Sequence, residues 1–153
     1  SAWDVLAKKE IVFGKVSVIG GGLVGVETAE YLASRGCKVT IVEMMDQIAK
    51  EESNTVLPTL MKELNSHEVE VLTSAKLMEI TENAVIVEKT VDEKTEKAEV
   101  ASDFVVMAVG AKKNVAELNN CTLPIHYVGD CAGERPSNID HAIKSAYDVA
   151  CEL

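Results

Sequence analysis

No apolar run in this 153-residue sequence reaches the roughly 20 residues that a membrane-spanning helix needs. Positive charge is scarce as well, with 15 Lys and Arg against 25 Asp and Glu and a net charge of −10. Such a field repels a nucleic acid or an anionic membrane, so any polyanion that binds must meet local donors. Ser1 to Glu10 contains two lysines and no signal-like apolar stretch, which gives the expectation of a soluble, cytoplasmic chain. The four cysteines, Cys37, Cys121, Cys131 and Cys151, include no Cys-x-x-Cys pair and no metal-ligand cluster. They are expected to be reduced and mostly buried, so disulfide redox chemistry by this chain alone is set aside. His67, His126 and His141 lie far apart without a partner at metal or triad spacing, so no metal site, general base or other catalytic residue is nominated. There is no internal repeat and no low-complexity segment.

What is present suits one ordinary domain, with 47% hydrophobic residues available for a core. Val16 to Ile19 is a short apolar run that meets Gly20, Gly21 and Gly22, and a segment of helical spacing follows through Leu23, Val26, Ala29, Leu32 and Ala33. Gly36 stops that helix, and Lys38 to Val42 is a second strand ending at Glu43. Ser53 or Asn54 is expected to cap a second helix on Val56, Leu57, Leu60, Met61 and Leu64, with Pro58 in its opening turns. A strand over Val69 to Leu72 comes next. Three short runs, Leu77 to Ile80, Ala84 to Glu88 and Ala98 to Ala101, predict an antiparallel meander with a solvated hairpin tip at Asp92 to Lys97. Phe104 to Val109 is a continuous apolar run and predicts a strand buried on both faces. Lys112 to Thr122 is read as a loop, His126 to Val128 as one more strand, and Ser137 to Leu153 as a final helix.

The chemistry is carried by Gly20-x-Gly22-x-x-Gly25, placed where a strand becomes a helix, and by Glu43 at the end of the next strand. The first glycine permits the turn, the second admits a diphosphate to the backbone, and the third lets helix and strand approach. Amides near Leu23 and Val24 then offer donors and a partial positive charge, which reconciles an acidic chain with an anionic ligand. A carboxylate at Glu43 accepts ribose hydroxyls but opposes a 2′-phosphate: two unit charges about 4 Å apart repel by up to roughly 4 kcal/mol at an effective dielectric near 20. Met44, Met45, Asp46 and Gln47 supply no arginine to offset this, so NAD(H) is expected over NADP(H). Met44 and Met45 are candidates to cover the adenine, with simple packing as the other reading. The fold class expected is α/β, a Rossmann-like doubly wound parallel sheet with an antiparallel β-meander and a C-terminal strand-helix segment.

The same fingerprint also binds the ADP half of FAD. Val16 to Met44, VSVIGGGLVGVETAEYLASRGCKVTIVEM, resembles the NAD(P)H-binding domain of pyridine nucleotide-disulfide oxidoreductase type flavoproteins. More narrowly, it is similar to that domain in NADH-dependent enoate and dienoyl-CoA reductases, whose other half resembles old yellow enzyme. Ala108 to Asn114 resembles the glycine motif, here centred on Gly110, that ends the family's nicotinamide domain, although Lys113 stands where proline is frequent. Tyr127 to Cys131 resembles its Gly-Asp motif, and the resemblance implies that Gly129 and Asp130 belong to FAD binding. It also implies that Glu27 lies near the nicotinamide, with a solvated helix position as the other reading.

Such flavoproteins carry an FAD fingerprint first, the nicotinamide fingerprint second and the Gly-Asp segment last. Only the second and third occur here, and the sequence opens on Ser1, so a piece of a larger parent is expected. The implied division is an NAD(H)-binding domain over 1–114 and a returning segment of the FAD-binding domain over 115–153. FAD would be held only by the intact parent, whose missing flavin-binding half is the implied partner, together with NADH. The parent is expected to be an NADH-dependent flavoprotein oxidoreductase, and the segment alone to lack turnover. Self-association through a surface left by the missing domain is a further expectation. A stand-alone non-catalytic dinucleotide-binding module and an FAD-binding half stay open as alternatives.

Overall fold

The computed structural model describes residues 1–50, 56–91, 94–118, 120–133 and 138–153. Backbone contacts divide the chain into two units, Ser1–Val109 and Gly110–Leu153.

In the first unit, β1 (Lys15–Ile19), β2 (Lys38–Val42), β3 (Glu70–Leu72) and β7 (Phe104–Met107) form a parallel sheet in the order β3-β2-β1-β7. Strand alternation explains its two faces. Val16 and Val18 of β1, with Val39 and Ile41 of β2, meet Val26, Ala29 and Leu32 of helix α2 (Leu23–Ala33) in one core. Ile19 and Val42 turn the other way and pack with Ala75, Val85 and Val87. Those residues belong to an antiparallel meander of β4 (Ala75–Ile80), β5 (Ala84–Val91) and β6 (Lys94–Ala101). The hydroxyl of Ser17, buried on β1, bonds that of Ser102 after β6, so the polar position on this face is satisfied. Helix α3 (Leu57–Ser66) has Pro58 in its first turn and buries Leu64. The expected caps Ser53 and Asn54 lie outside the described residues. The fold is therefore the expected Rossmann-like α/β architecture, with the meander on the face opposite α2.

Several expectations change. A short helix, α1 (Ala2–Leu6), opens the chain on a capping box in which the Ser1 side chain accepts the Asp4 N–H. The run at Phe104 is a strand only as far as Met107 and is less buried than expected: among the described strands β7 pairs with β1 alone, at the sheet edge, and while Phe104 and Val106 pack on the α2 core and Val105 on the meander core, Val106 alone of the four is fully buried. Lys94 to Lys97 are solvated as expected, but they are strand rather than hairpin tip, since β6 already begins at Lys94. Register explains it: Glu88 faces Lys97 and Lys89 faces Glu96, so opposite charges sit directly across the ladder and extend it. Asp92 and Glu93 lie outside the described residues.

In the second unit, His126 to Val128 is not a strand. No described strand lies beside it, and an extended segment becomes a strand only by pairing. It leads into a 3-10 turn, Gly129–Cys131, followed by helix α4 (Ile139–Glu152), which Asn138 caps by accepting the His141 N–H at 2.9 Å. The start expected at Ser137 lies outside the described residues. Within the unit α4 meets the turn through Ala142 and Ser145, while Ile139 and Ile143 of the expected apolar stripe stay exposed. Only Cys37 of the four cysteines is buried, contrary to the expectation for thiols, because Cys121 and Cys151 fall on the thinly packed second unit. All four are free. No helix among the described residues is long and apolar enough to cross a membrane.

Candidate functional site

The end of β1 passes into α2 through Gly20, Gly21 and Gly22. Gly20 takes φ +107°, and a Cβ there would stand 2.5 Å from the carbonyl oxygen of Ala108. Only glycine meets both demands. Its N–H donates to the Val42 carbonyl at 2.9 Å, tying the bend to the end of β2. Gly25 is buried, and a Cβ on it would overlap the carbonyl oxygen of Gly20, so α2 sits against the strand at van der Waals limit. Gly22 is the opposite case: nothing lies within 4 Å of where its Cβ would be.

Gly22 is the N-cap of α2 and brings no side chain, and the first turn carries no acid. No described residue accepts a hydrogen bond from the N–H groups of Gly22, Leu23 or Val24. The positive end of an 11-residue helix is thus open beside a cleared backbone position.

Glu43 stands across from this opening, only 9% exposed. One carboxylate oxygen, Oε2, accepts the Gly21 N–H at 2.6 Å, and Oε1 accepts the Met45 N–H at 2.7 Å. Its own N–H donates to the Leu72 carbonyl at 2.8 Å, and its carbonyl accepts the Ala75 N–H at 2.9 Å. The side chain is therefore held at both ends. A carboxylate offers about four acceptor sites, and two remain for hydroxyl donors.

The segment after Glu43 folds back on the bend. The Ala49 N–H donates to the Gly21 carbonyl at 2.7 Å, with Ala49 at φ +49°, and Ile48 lies 2.5 Å from where a Cβ on Gly21 would stand. Gly21 is enclosed by Ile48 and Glu43, which leaves Gly22 as the open side. Ile48, Ala49 and Ala108 were not foreseen as parts of this wall. A left-handed alanine has no sequence signal, and Ala108 lies in the stretch before Gly110, where spacing alone does not point to the bend.

The first unit thus brings together Gly20, Gly21, Gly22, Leu23, Val24, Gly25, Glu43 and Met44. Met44 is 67% exposed, and Leu23 is exposed at the start of α2. Glu27 is exposed one turn further along the same helix. Gly110, Gly129 and Asp130 fall in the second unit. There Gly129 takes φ +61° and donates its N–H to Ser145 Oγ at 2.8 Å, while Asp130 is exposed in the same turn.

A parallel sheet with a glycine-lined β–α bend and an acid closing the next strand defines a Rossmann-like α/β domain. The chain belongs to the pyridine nucleotide-disulphide oxidoreductase family, whose model matches residues 4–128. It is 45% identical over 152 residues to the bilirubin reductase of Mediterraneibacter gnavus, covering 97% of this chain and 23% of that one. It is 32% identical over 159 residues to the cinnamate reductase of Clostridium sporogenes, covering 98% and 23%. The NADH oxidase of Thermoanaerobacter brockii is 33% identical over 159 residues, with 99% and 24% covered. The chain therefore spans about a quarter of the length of these relatives. A solved 2-naphthoyl-CoA reductase shares the fold, with a TM-score of 0.82 at 24% identity, over 99% of this chain and 23% of that one.

Proposed function

We propose that this chain binds NAD(H) at the glycine bend and, within a larger flavoprotein, presents NADH to a flavin. The observation that carries the reading is the set of open amides at Gly22, Leu23 and Val24 facing a cleared position, with the Glu43 carboxylate alongside. These groups fit the ligand: the amides and the helix end offer donors to a diphosphate, and the two spare acceptor sites of Glu43 suit the hydroxyls of an adenosine ribose. Bound NADH would supply the hydride, and a flavin held by the rest of the parent would accept it.

This chain's part is orientation. Gly20 and Gly25 fix the bend against Ala108, the amides bind the diphosphate, and Glu43 selects the unphosphorylated ribose. Met44 covers the adenine side, and Glu27 lies toward the nicotinamide. Residues 1–114 form the nicotinamide domain, and residues 115–153 form the returning part of the flavin-binding domain, with Gly110 at the junction and Gly129 and Asp130 directed to FAD. The reductase and NADH oxidase names of the relatives support this direction of electron flow, and a cytoplasmic setting fits it. Calorimetric titration of the purified chain with NADH and NADPH tests the proposal. NADH is expected to bind more tightly. Tighter binding of NADPH overturns the role of Glu43, and binding of neither overturns the site.

A further inference from the structure

We infer that Ser74 is a positioning residue for the ribose acceptor: a left-handed turn at the start of the meander fixes the direction of the Glu43 carboxylate. The inference rests on the dinucleotide reading above and extends it from the glycine bend to β4 and β5. The bonds concerned form one series. The Thr90 N–H of β5 donates to the Ser74 carbonyl at 3.0 Å, and the Ser74 N–H donates to the Met45 carbonyl at 2.7 Å. The Met45 N–H donates in turn to Glu43 Oε1 at 2.7 Å, while Oε2 accepts the Gly21 N–H at 2.6 Å. Beside this series the Ala75 N–H holds the Glu43 carbonyl at 2.9 Å. Both strands that end at the site also rest on the meander. Ile19 precedes Gly20, Val42 precedes Glu43, and the two pack with Ala75, Val85 and Val87.

At Ser74 the series depends on the conformation of a single residue. It takes φ +49°, a left-handed value that glycine adopts freely, serine and alanine at some cost, and a β-branched residue only with strain. In that conformation its N–H meets the loop after β2 and its carbonyl meets β5. A residue driven out of the left-handed region turns both groups away, which frees the Met45 peptide and takes the donor from Glu43 Oε1. The bond from Gly21 remains, so the bend holds while the carboxylate loses its fixed direction toward the ribose hydroxyls.

The test compares Ser74→Gly, Ser74→Ala and Ser74→Val with the native chain, each titrated with NADH and with the NADH analogue whose adenosine ribose lacks the 2′-hydroxyl. Ser74→Gly and Ser74→Ala keep the turn and are expected to bind NADH within about twofold of the native chain. Ser74→Val is expected to weaken NADH about fivefold or more, the worth of one hydrogen bond, and the deoxy analogue by less than about twofold. Equal penalties for the two ligands mean that Ser74 only supports the fold, and they overturn the inference, as does a Ser74→Val chain that binds NADH like Ser74→Gly. Hydrogen exchange of the native chain gives a second reading that stands even where Ser74→Val does not fold. Saturating NADH should slow the Gly21, Met45 and Ser74 N–H groups by a common factor of about tenfold or more. The Ser102 N–H, bonded to Asn83 at 2.9 Å beside the other end of β5, should change by less than about twofold. Uniform slowing of all four, or a Ser74 N–H that ignores NADH, overturns the inference. A native chain that binds no NADH overturns the dinucleotide reading itself, whereas NADH binding with any of these contrary results overturns this inference alone.

Discussion

Substituting Glu43 separates the two tasks assigned to its carboxylate, bracing the glycine bend and receiving the ribose. Its two bonds, 2.6 Å to Gly21 N–H and 2.7 Å to Met45 N–H, are charge-assisted, the first buried and the second partly so. Bonds of that kind contribute roughly 1.5–3 kcal/mol each, and a buried N–H left without a partner costs about 1–3 kcal/mol. Glu43→Gln keeps one oxygen but turns an NH2 group toward the second amide, so one bond is lost and one donor faces another. We expect a loss of about 2 kcal/mol, which for a domain of this size lowers the melting temperature by roughly 4–8 °C. Glu43→Ala removes both bonds and the packing of the side chain over Gly21, and it should lose about twice as much. Urea and thermal unfolding measure the first task, and NADH titration of the folded variants measures the second. Both variants should weaken NADH at least tenfold, because bend and ribose acceptor change together. A Glu43→Gln chain that unfolds within about 0.5 kcal/mol of the native one refutes the bracing role, since that is the range of an ordinary surface substitution.

The glycines predict opposite outcomes for one chemical change. Gly22→Ala puts a methyl group into space with no neighbour within 4 Å, so folding should change by no more than about 1 kcal/mol while NADH affinity falls tenfold or more. Gly25→Ala drives a Cβ into the Gly20 carbonyl, and calorimetry should show a melting temperature far below that of Gly22→Ala. Cys37 gives a pH prediction. Burial pushes its thiol up from the ordinary 9.0, so a thiol reagent near pH 8 should modify Cys37 last, after the exposed Cys121 and Cys151. The sign for stability follows: below the ordinary thiol range both states keep the proton, and as pH rises through it the unfolded chain releases the proton first, so stability falls. Cys37→Ala should remove that alkaline slope in urea unfolding.

Much of this architecture was legible because local signals agreed with the tertiary outcome. The glycine cluster between Ile19 and Leu23 marks a strand-to-helix turn, and the runs at Val16 and Lys38 are strands because both faces of β1 and β2 are covered. Where the reading failed, the deciding contact was distant in sequence or absent. Apolarity at Phe104 to Val109 is compatible with a central or an edge strand, and only the order β3-β2-β1-β7 decides between them. The extra length of β6 depends on charges of β5 lying opposite in register, and His126 to Val128 lacks a pairing strand. Helix α1 was legible in principle, since Ser1 and Asp4 have capping-box spacing. At the site, glycine spacing and the acid could be read from residues alone. The bonding of Glu43 to the bend could not, nor could the return of Ile48 and Ala49 onto Gly21, because both need the loop's three-dimensional path.

Amide chemical shifts recorded while NADH is added to the isotope-labelled chain address the glycine bend most directly. The N–H signals of Gly22, Leu23 and Val24 should move early and furthest, with Gly21 following through its bond to Glu43, and Gly22→Ala should abolish the response. Saturating NADH that shifts amides elsewhere while these three stay in place would contradict the assignment of the diphosphate to this bend.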